Sequence, residues 1–266
     1  MPESKLSVLV VGATGSIGRL VVEDAIRQGH IVRALVRSEA KARQLPRGVK
    51  VMVGDVTRPE TLASAVDGID AIVFTHGSNG GTKAESESVD YGGVRNVLLA
   101  LGSRPARIAL MTAIGVTNRT GSYNRSTEVH DWKRRSERLV RASGLPYTIV
   151  RPGWFDYNKS NEHQLVFLQG DTRTAGNSSD GVIARSQLAQ VLVSSLTSAQ
   201  ALRKTFELIA IKGSAQEDLD ELFAALVADP EDTLDGVRDT PNQPFEEEPQ
   251  RVKDDLRKLL DTRRLS

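Results

Sequence analysis

The chain has no cysteine. That excludes disulfides, iron–sulfur clusters, thiolate zinc sites and a cysteine nucleophile. It also fits a reducing compartment, and a cytoplasmic protein is expected. Aromatic residues make up only 5% of the 266 residues, so any local group of them stands out. No stretch approaches the roughly 20 apolar residues that span a bilayer, so no membrane association is expected. A surplus of one charge is missing too: 35 Lys and Arg face 34 Asp and Glu, for a net charge of +1. Such a balance gives no strong field for nucleic acid or anionic lipid. HExxH, EF-hand and Cys/His spacings are absent, and no metal is expected. Gly-x-Ser-x-Gly is absent as well, which argues against a hydrolase elbow.

What is present is an alternation of two periods. Short β-branched runs lie at 6–11, 31–36, 49–53, 70–74, 107–112 and 147–150. The first follows Lys5 and reads as a buried strand, because it is too short for a secretory signal. Helical spacing fills 16–28, 39–44, 59–66, 89–102 and 127–142. Nearly continuous apolar strands alternating with helices predict an α/β protein with a parallel sheet covered on both faces. Right-handed crossovers make that sheet doubly wound. After Pro152, residues 153–181 are rich in Gly, Asn, Asp and Ser and predict a loop-rich cap. A helix at 186–197, a strand at 205–210 and a helix at 216–228 follow. The chain then becomes charged and proline-broken, with a short closing helix at 250–261. The organisation expected is one domain over 1–228, with 153–181 and 198–228 as a small C-terminal substrate cap. Residues 229–266 form a charged extension whose 229–249 part either wraps the body or is mobile.

The sharpest local signal is Gly12-Ala13-Thr14-Gly15-Ser16-Ile17-Gly18, directly after a strand and opening a helix. There Gly12 permits a tight turn, Gly15 lets a pyrophosphate approach the backbone, and Gly18 allows close helix–strand packing. Amides at the helix start then hold phosphate oxygens, with Thr14, Ser16 and Ile17 in the cradle. At the end of the second strand, where NAD sites place a carboxylate, stand Arg37 and Ser38, with Lys41 one turn on. Arg37 presents paired donors to a 2′-phosphate. At roughly 1.5–3 kcal/mol per charge-assisted bond, a preference for NADP of about tenfold or more follows. Arg33, on the same strand face, either supports that site or is a solvated strand edge. Asp55, with Val56, either meets adenine or caps a turn. Thr75, His76 and Gly77 end the fourth strand beside the topological switch point, where ligands bind.

Together these residues resemble the short-chain dehydrogenase/reductase superfamily, and more narrowly its atypical, NmrA-like branch. The carrying segments are 10–19 (VVGATGSIGR), 30–37 (HIVRALVR), 54–74 and 143–155 (SGLPYTIVRPGWF), within about residues 5–210. The resemblance implies a Rossmann sheet of about seven strands and a cofactor along the strand ends, usually NADP. It also implies a reacting centre with a Ser or Thr, a Tyr, and a Lys four residues after the Tyr. Lys133 matches that lysine and anchors the nicotinamide ribose. Val129 stands where the Tyr belongs, and a valine transfers no proton. Thr112 keeps one hydroxyl at the fifth strand end. Pro152, Gly153 and Trp154 follow the sixth strand, a stretch that in the family passes the nicotinamide. Trp154, Phe155 and Tyr157 are three aromatics within four positions, read as a wall of the acceptor pocket.

The function expected is therefore an NADP(H)-dependent oxidoreductase passing hydride directly to a small planar acceptor such as a quinone or flavin. Tyr123, Tyr157 and His130 are weaker candidates for a replacement acid, and His163 reads as solvent-facing. The alternatives are a non-catalytic NADP-binding redox sensor and, third, a sugar-nucleotide epimerase or dehydratase. The basic stretch Lys133, Arg134, Arg135, Arg138 and Arg141 reads as a solvated helix surface, and Glu246, Glu247 and Glu248 as solvated tail. A monomer or a homodimer is expected, without nucleic acid.

Overall fold

A computed structural model describes residues 5–264. The sheet contains ten strands: β1 (Ser7–Val11), β2 (Ile31–Val36), β3 (Lys50–Val53), β4 (Ala71–Phe74), β5 (Arg107–Met111), β6 (Tyr147–Pro152), β7 (Trp154–Phe155), β8 (Gln164–Leu168), β9 (Val182–Ile183) and β10 (Lys204–Ile211). Seven run parallel in the order β3-β2-β1-β4-β5-β6-β10. The order reverses between β1 and β4, which opens a crevice at their carboxyl ends. The doubly wound Rossmann architecture is as the strand pattern predicts. The three further strands arise in the cap: β8 and β9 pair antiparallel with β10, and β7 pairs with β9. The stretch 153–181 is thus partly sheet. Two-residue strands carry too little periodicity to be read from sequence.

Alternation along the strands divides two cores. Val8 and Val10 face Val21 and Val22 of α1 (Ser16–Arg27) and Leu188 and Leu192 of α7 (Arg185–Ser194). Leu9 and Val11 share the other core with Val97 of α4 (Gly92–Leu101), Leu139 of α6 (Val129–Ala142) and Val252 of α9 (Gln250–Arg264). Between them α2 (Glu39–Ala42), α3 (Lys83–Glu85), α5 (Ser122–Thr127) and α8 (Asp220–Ala224) are short. Several helix expectations need correction. Residues 59–66 form only a 3-10 turn at Pro59–Thr61, and 216–228 shrinks to α8. The 127–142 segment breaks at Glu128, whose φ of 54° is left-handed and separates α5 from α6. A single π-helical turn, Ser86–Tyr91, precedes α4.

The largest correction concerns charge. The arginines of α6 are not a solvated surface: Arg134, Arg135, Arg138 and Arg141 are all buried. Residues 229–249 wrap the body and bring carboxylates to them. Asp235 pairs with Arg134 at 3.0 Å and Arg138 at 2.8 Å. Glu248 pairs with Arg138 at 2.7 Å and Arg135 at 2.6 Å. Asp229 reaches Arg141 at 3.3 Å. Glu246 and Glu247 are exposed as expected, but Glu248 is buried. Below this strap Arg151 on β6 meets Glu137 and Asp239, each at 2.7 Å. Buried charges persist only when paired and hydrogen-bonded, and here each guanidinium has a carboxylate partner.

Candidate dinucleotide site

The glycine loop joins β1 to α1 at the crevice. Gly12 has φ of +89°, and a Cβ there would lie 2.7 Å from the His76 backbone nitrogen. A Cβ on Gly18 would lie 2.1 Å from the Gly12 carbonyl oxygen. Both glycines are therefore dictated by packing. Gly15 differs: it is exposed and caps α1 without a side chain, which leaves the first-turn amides open to a ligand. Thr14 and Ser16 flank it at the surface.

Arg37, Ser38 and Lys41 are exposed together after β2. Arg33 turns away and donates to the Asp67 and Gly68 carbonyls, so it does not join them. Asp55 accepts from the Thr57 amide at 2.9 Å and hydroxyl at 2.8 Å, which makes it a turn cap. Burial raises its pKa, but those two bonds and the Arg37 and Arg58 charges outweigh burial and hold it below the ordinary aspartate value. Beside it a cavity of about 260 Å³ is lined by Thr57, Ser88, Tyr91, Arg95 and Asn96. Asn96 fixes its floor by donating to the Val56 carbonyl at 2.7 Å.

At the end of β4 the Thr75 hydroxyl donates to the Val11 carbonyl at 3.0 Å, stitching β4 to β1. His76 hydrogen-bonds through Nε2 with the Val89 carbonyl at 3.0 Å. Burial, reinforced by Lys133 and opposed by Asp90, pushes its pKa down to about 4. It is neutral near pH 7 and unsuited to donating a proton. Lys133 lies in the first two turns of α6, with Nζ 2.8 Å from Asp90 Oδ1. Asp90 Oδ2 in turn accepts from the Ser78 hydroxyl at 2.5 Å and amide at 3.2 Å. A Cβ on Gly77 would stand 3.1 Å from Asp90 Oδ1 and 3.5 Å from Lys133 Nζ, so glycine lets the backbone pass close to this largely buried pair. Asp90 was not legible in the sequence, because a lone aspartate on a π-helical turn carries no spacing signal.

Thr112 lies elsewhere. Its hydroxyl is buried and donates to Glu137 at 2.8 Å, inside the Arg151 network. Its geometry is that of a structural anchor rather than of a group facing a substrate. Val129 is also buried. His130 stacks edge-on with exposed Tyr123 at 5.6 Å, and burial lowers its pKa. His163 is exposed.

At the end of β6, Pro152 is buried, and a Cβ on Gly153 would lie 2.6 Å from the Gly181 oxygen. Trp154 and Tyr157 form an exposed edge-to-face pair at 6.4 Å. Phe155, the next residue in β7, points to the opposite side and packs on the core. The three aromatics are thus a surface pair plus a separate ring. Over that ring, at 5.0 Å, lies Arg185, which also reaches the glycine loop and was not singled out from sequence. Among the described residues no group of three or more His, Asp or Glu is poised for a metal, and no helix is long and apolar enough to cross a membrane.

A family model described as NAD(P)H-binding matches residues 12–199. Sanguinarine reductase from Eschscholzia californica is 28% identical over 267 residues, covering 83% of this chain and 96% of that protein. An uncharacterized sugar epimerase, YhfK of Bacillus subtilis, is 30% identical over 208 residues, covering 76% of this chain and 94% of that one. The solved structure of a putative NAD-dependent epimerase/dehydratase from Bacillus halodurans superposes with a TM-score of 0.68 at 22% identity, over 82% of this chain and 99% of that one. This last likeness is one of fold.

Proposed function

Since the chain belongs to the NAD(P)H-binding family, in its atypical short-chain, NmrA-like branch, we propose that it is an NADPH-dependent reductase passing hydride directly to a small planar acceptor. The observation that carries this reading is the Lys133–Asp90 pair beside Gly77, at the crevice end of β4, with no exchangeable proton at Val129. The residues present fit a dinucleotide: Gly15 leaves open the amides that a pyrophosphate needs.

The amides of Ser16 and Ile17, with the Thr14 and Ser16 side chains, would hold the pyrophosphate against Gly15, whose own amide donates to the Gly12 carbonyl at 2.9 Å. Arg37, Ser38 and Lys41 would hold the 2′-phosphate of NADP. Asp55 and Val56, with the cavity beside Thr57, would frame adenine. Thr75, His76 and Gly77 would line the path to the nicotinamide ribose, and Lys133 would hold that ribose. Pro152, Gly153 and Trp154 would border the nicotinamide. When bound, NADPH supplies a hydride from its nicotinamide ring. Asp90 aims Lys133 through their 2.8 Å ion pair, so the lysine acts by orienting the ribose. Trp154 and Tyr157 offer flat apolar area to an acceptor ring. A quinone or flavin needs no specialised acid in this scheme, because its proton comes from water. The relative named a reductase supports this reading. An epimerase reading has a relative in its favour too, but Val129 leaves it without the usual Tyr.

The test is oxidation of NADPH by the purified protein, with quinones, flavins and simple carbonyl compounds offered in turn. Turnover with quinone or flavin and not with carbonyls is expected. Turnover confined to carbonyls would overturn direct transfer. Tight NADPH binding without turnover across all acceptors would favour the sensor reading.

A further inference from the structure

We propose that Arg185 is a clamp for the cofactor pyrophosphate and that Asp156 is the anion the pyrophosphate displaces from it; this rests on the dinucleotide reading above. Arg185 is the first residue of α7, the helix that shares a core with α1. Its Nε donates to Ser16 Oγ at 3.2 Å, which brings a full positive charge to a loop that offers amide dipoles and the Thr14 and Ser16 hydroxyls. The guanidinium lies 5.0 Å from the centre of the Phe155 ring, so an apolar face steadies it. Its Nη1 is ion-paired with Asp156 Oδ2, and its backbone amide donates to Asp156 Oδ1 at 3.1 Å. Asp156 itself is fixed by its amide, which donates to the Ile183 carbonyl at 2.9 Å, and by a left-handed φ of 59°.

Two features make this a clamp rather than a closed structural pair. First, it is open to solvent: the Arg185 side chain is 35% exposed and that of Asp156 50%. An exposed ion pair contributes little, so exchanging the carboxylate for another anion costs little. Arg134, Arg138 and Arg151, the fully buried arginines among the described residues, are by contrast each closed in by several partners, as Arg151 is by Glu137, Glu207 and Asp239. Second, the chemistry of the anion matches. A guanidinium presents paired donors to two phosphate oxygens, and charge-assisted pairs of that kind exceed a solvated carboxylate contact. The pyrophosphate is common to NADPH and NADH. Arg185 therefore sets affinity for both, while Arg37 sets the choice between them.

The experiment is equilibrium titration of wild type, R185Q, R185K and D156N with NADPH, NADH, ADP-ribose and adenosine 2′-monophosphate. The last keeps adenine and the 2′-phosphate but has no pyrophosphate. For R185Q, affinity about tenfold weaker is expected for NADPH, NADH and ADP-ribose alike, with adenosine 2′-monophosphate unchanged. R185K keeps the charge without the fork and falls between. D156N removes the competing carboxylate and binds dinucleotides at least as tightly as wild type. Unchanged dinucleotide affinity in R185Q overturns the clamp. So does an equal loss of adenosine 2′-monophosphate, or a D156N protein as impaired as R185Q, since either makes the pair a structural tie of the cap. A wild type that binds no dinucleotide overturns the cofactor reading itself, a result distinct from these.

Discussion

At the scale of single residues, the glycine loop and the cation after β2 make separate contributions. Gly18 has no room for a side chain, since its Cβ would meet the Gly12 carbonyl at 2.1 Å. Gly18→Ala must push α1 off β1, and a loss of about 2–3 kcal/mol in urea unfolding is expected. Arg37→Glu leaves the fold intact, because the residue is exposed. It should weaken NADPH binding by about tenfold or more and leave NADH binding nearly unchanged, as read by titration of both. These positions were legible because their meaning is local: a turn, a helix start, a strand end. Asp90 and Arg185 were not, because each acts on a residue far away in the chain, Lys133 and Ser16 respectively. Thr112 was legible as a hydroxyl at a strand end, but its direction was not. Only the buried Glu137 beside it explains where that hydroxyl points.

Helix α6 links the site to the rest of the structure. It carries Lys133 near its start and Glu137, Arg138 and Arg141 further along. Its periodicity was visible, but the sign of its polar face was misleading. Four arginines on one helix normally mean water, and their partners stand about 90–110 residues later in a segment whose composition reads as tail. Burial reverses the energetics of such pairs. Removing one member leaves the others desolvated and unpaired, which costs about 3–5 kcal/mol. Arg151→Met takes the cation from Glu207 and Asp239 and leaves Glu137 with Arg141 alone, and a loss of that size in urea unfolding is expected. The exposed pair between Arg203 and Glu231 is the comparison. Glu231→Gln should stay within about 1 kcal/mol of wild type in the same measurement.

For the whole molecule, the buried carboxylates give stability a pH dependence. Burial pushes Glu207 up to about 7, against the pull of Arg151 and with the help of Asp171 and Asp239. From the ordinary glutamate value of 4.5 up to about 7, the folded protein holds a proton that the unfolded chain releases. Stability from this group is therefore full in acid and lost as pH rises through that window. His76, pushed down from 6.5 to about 4, works the other way: the unfolded chain binds the proton and stability rises with pH. The two oppose each other where their windows overlap. Glu207→Gln removes only the falling limb, so between pH 4.5 and about 7 wild type should lose stability relative to the variant. Parallel slopes for the two proteins would contradict this. The doubly wound parallel sheet and the crevice at its switch point followed from patterns in the first two-thirds of the chain. The strap over α6 and the strands of the cap did not, since both depend on contacts that sequence spacing does not encode.

On the proposed reading the crevice between β1 and β4 holds NADP, with its 2′-phosphate beside Arg37 and its pyrophosphate beside Arg185. A crystal structure of the protein grown with NADP tests it most directly. Expected are the pyrophosphate on the amides of Ser16 and Ile17 beside Arg185, the 2′-phosphate within hydrogen-bond distance of Arg37, and a ribose hydroxyl on Lys133 Nζ. A dinucleotide bound elsewhere, or one whose 2′-phosphate points away from Arg37 into solvent, would contradict it.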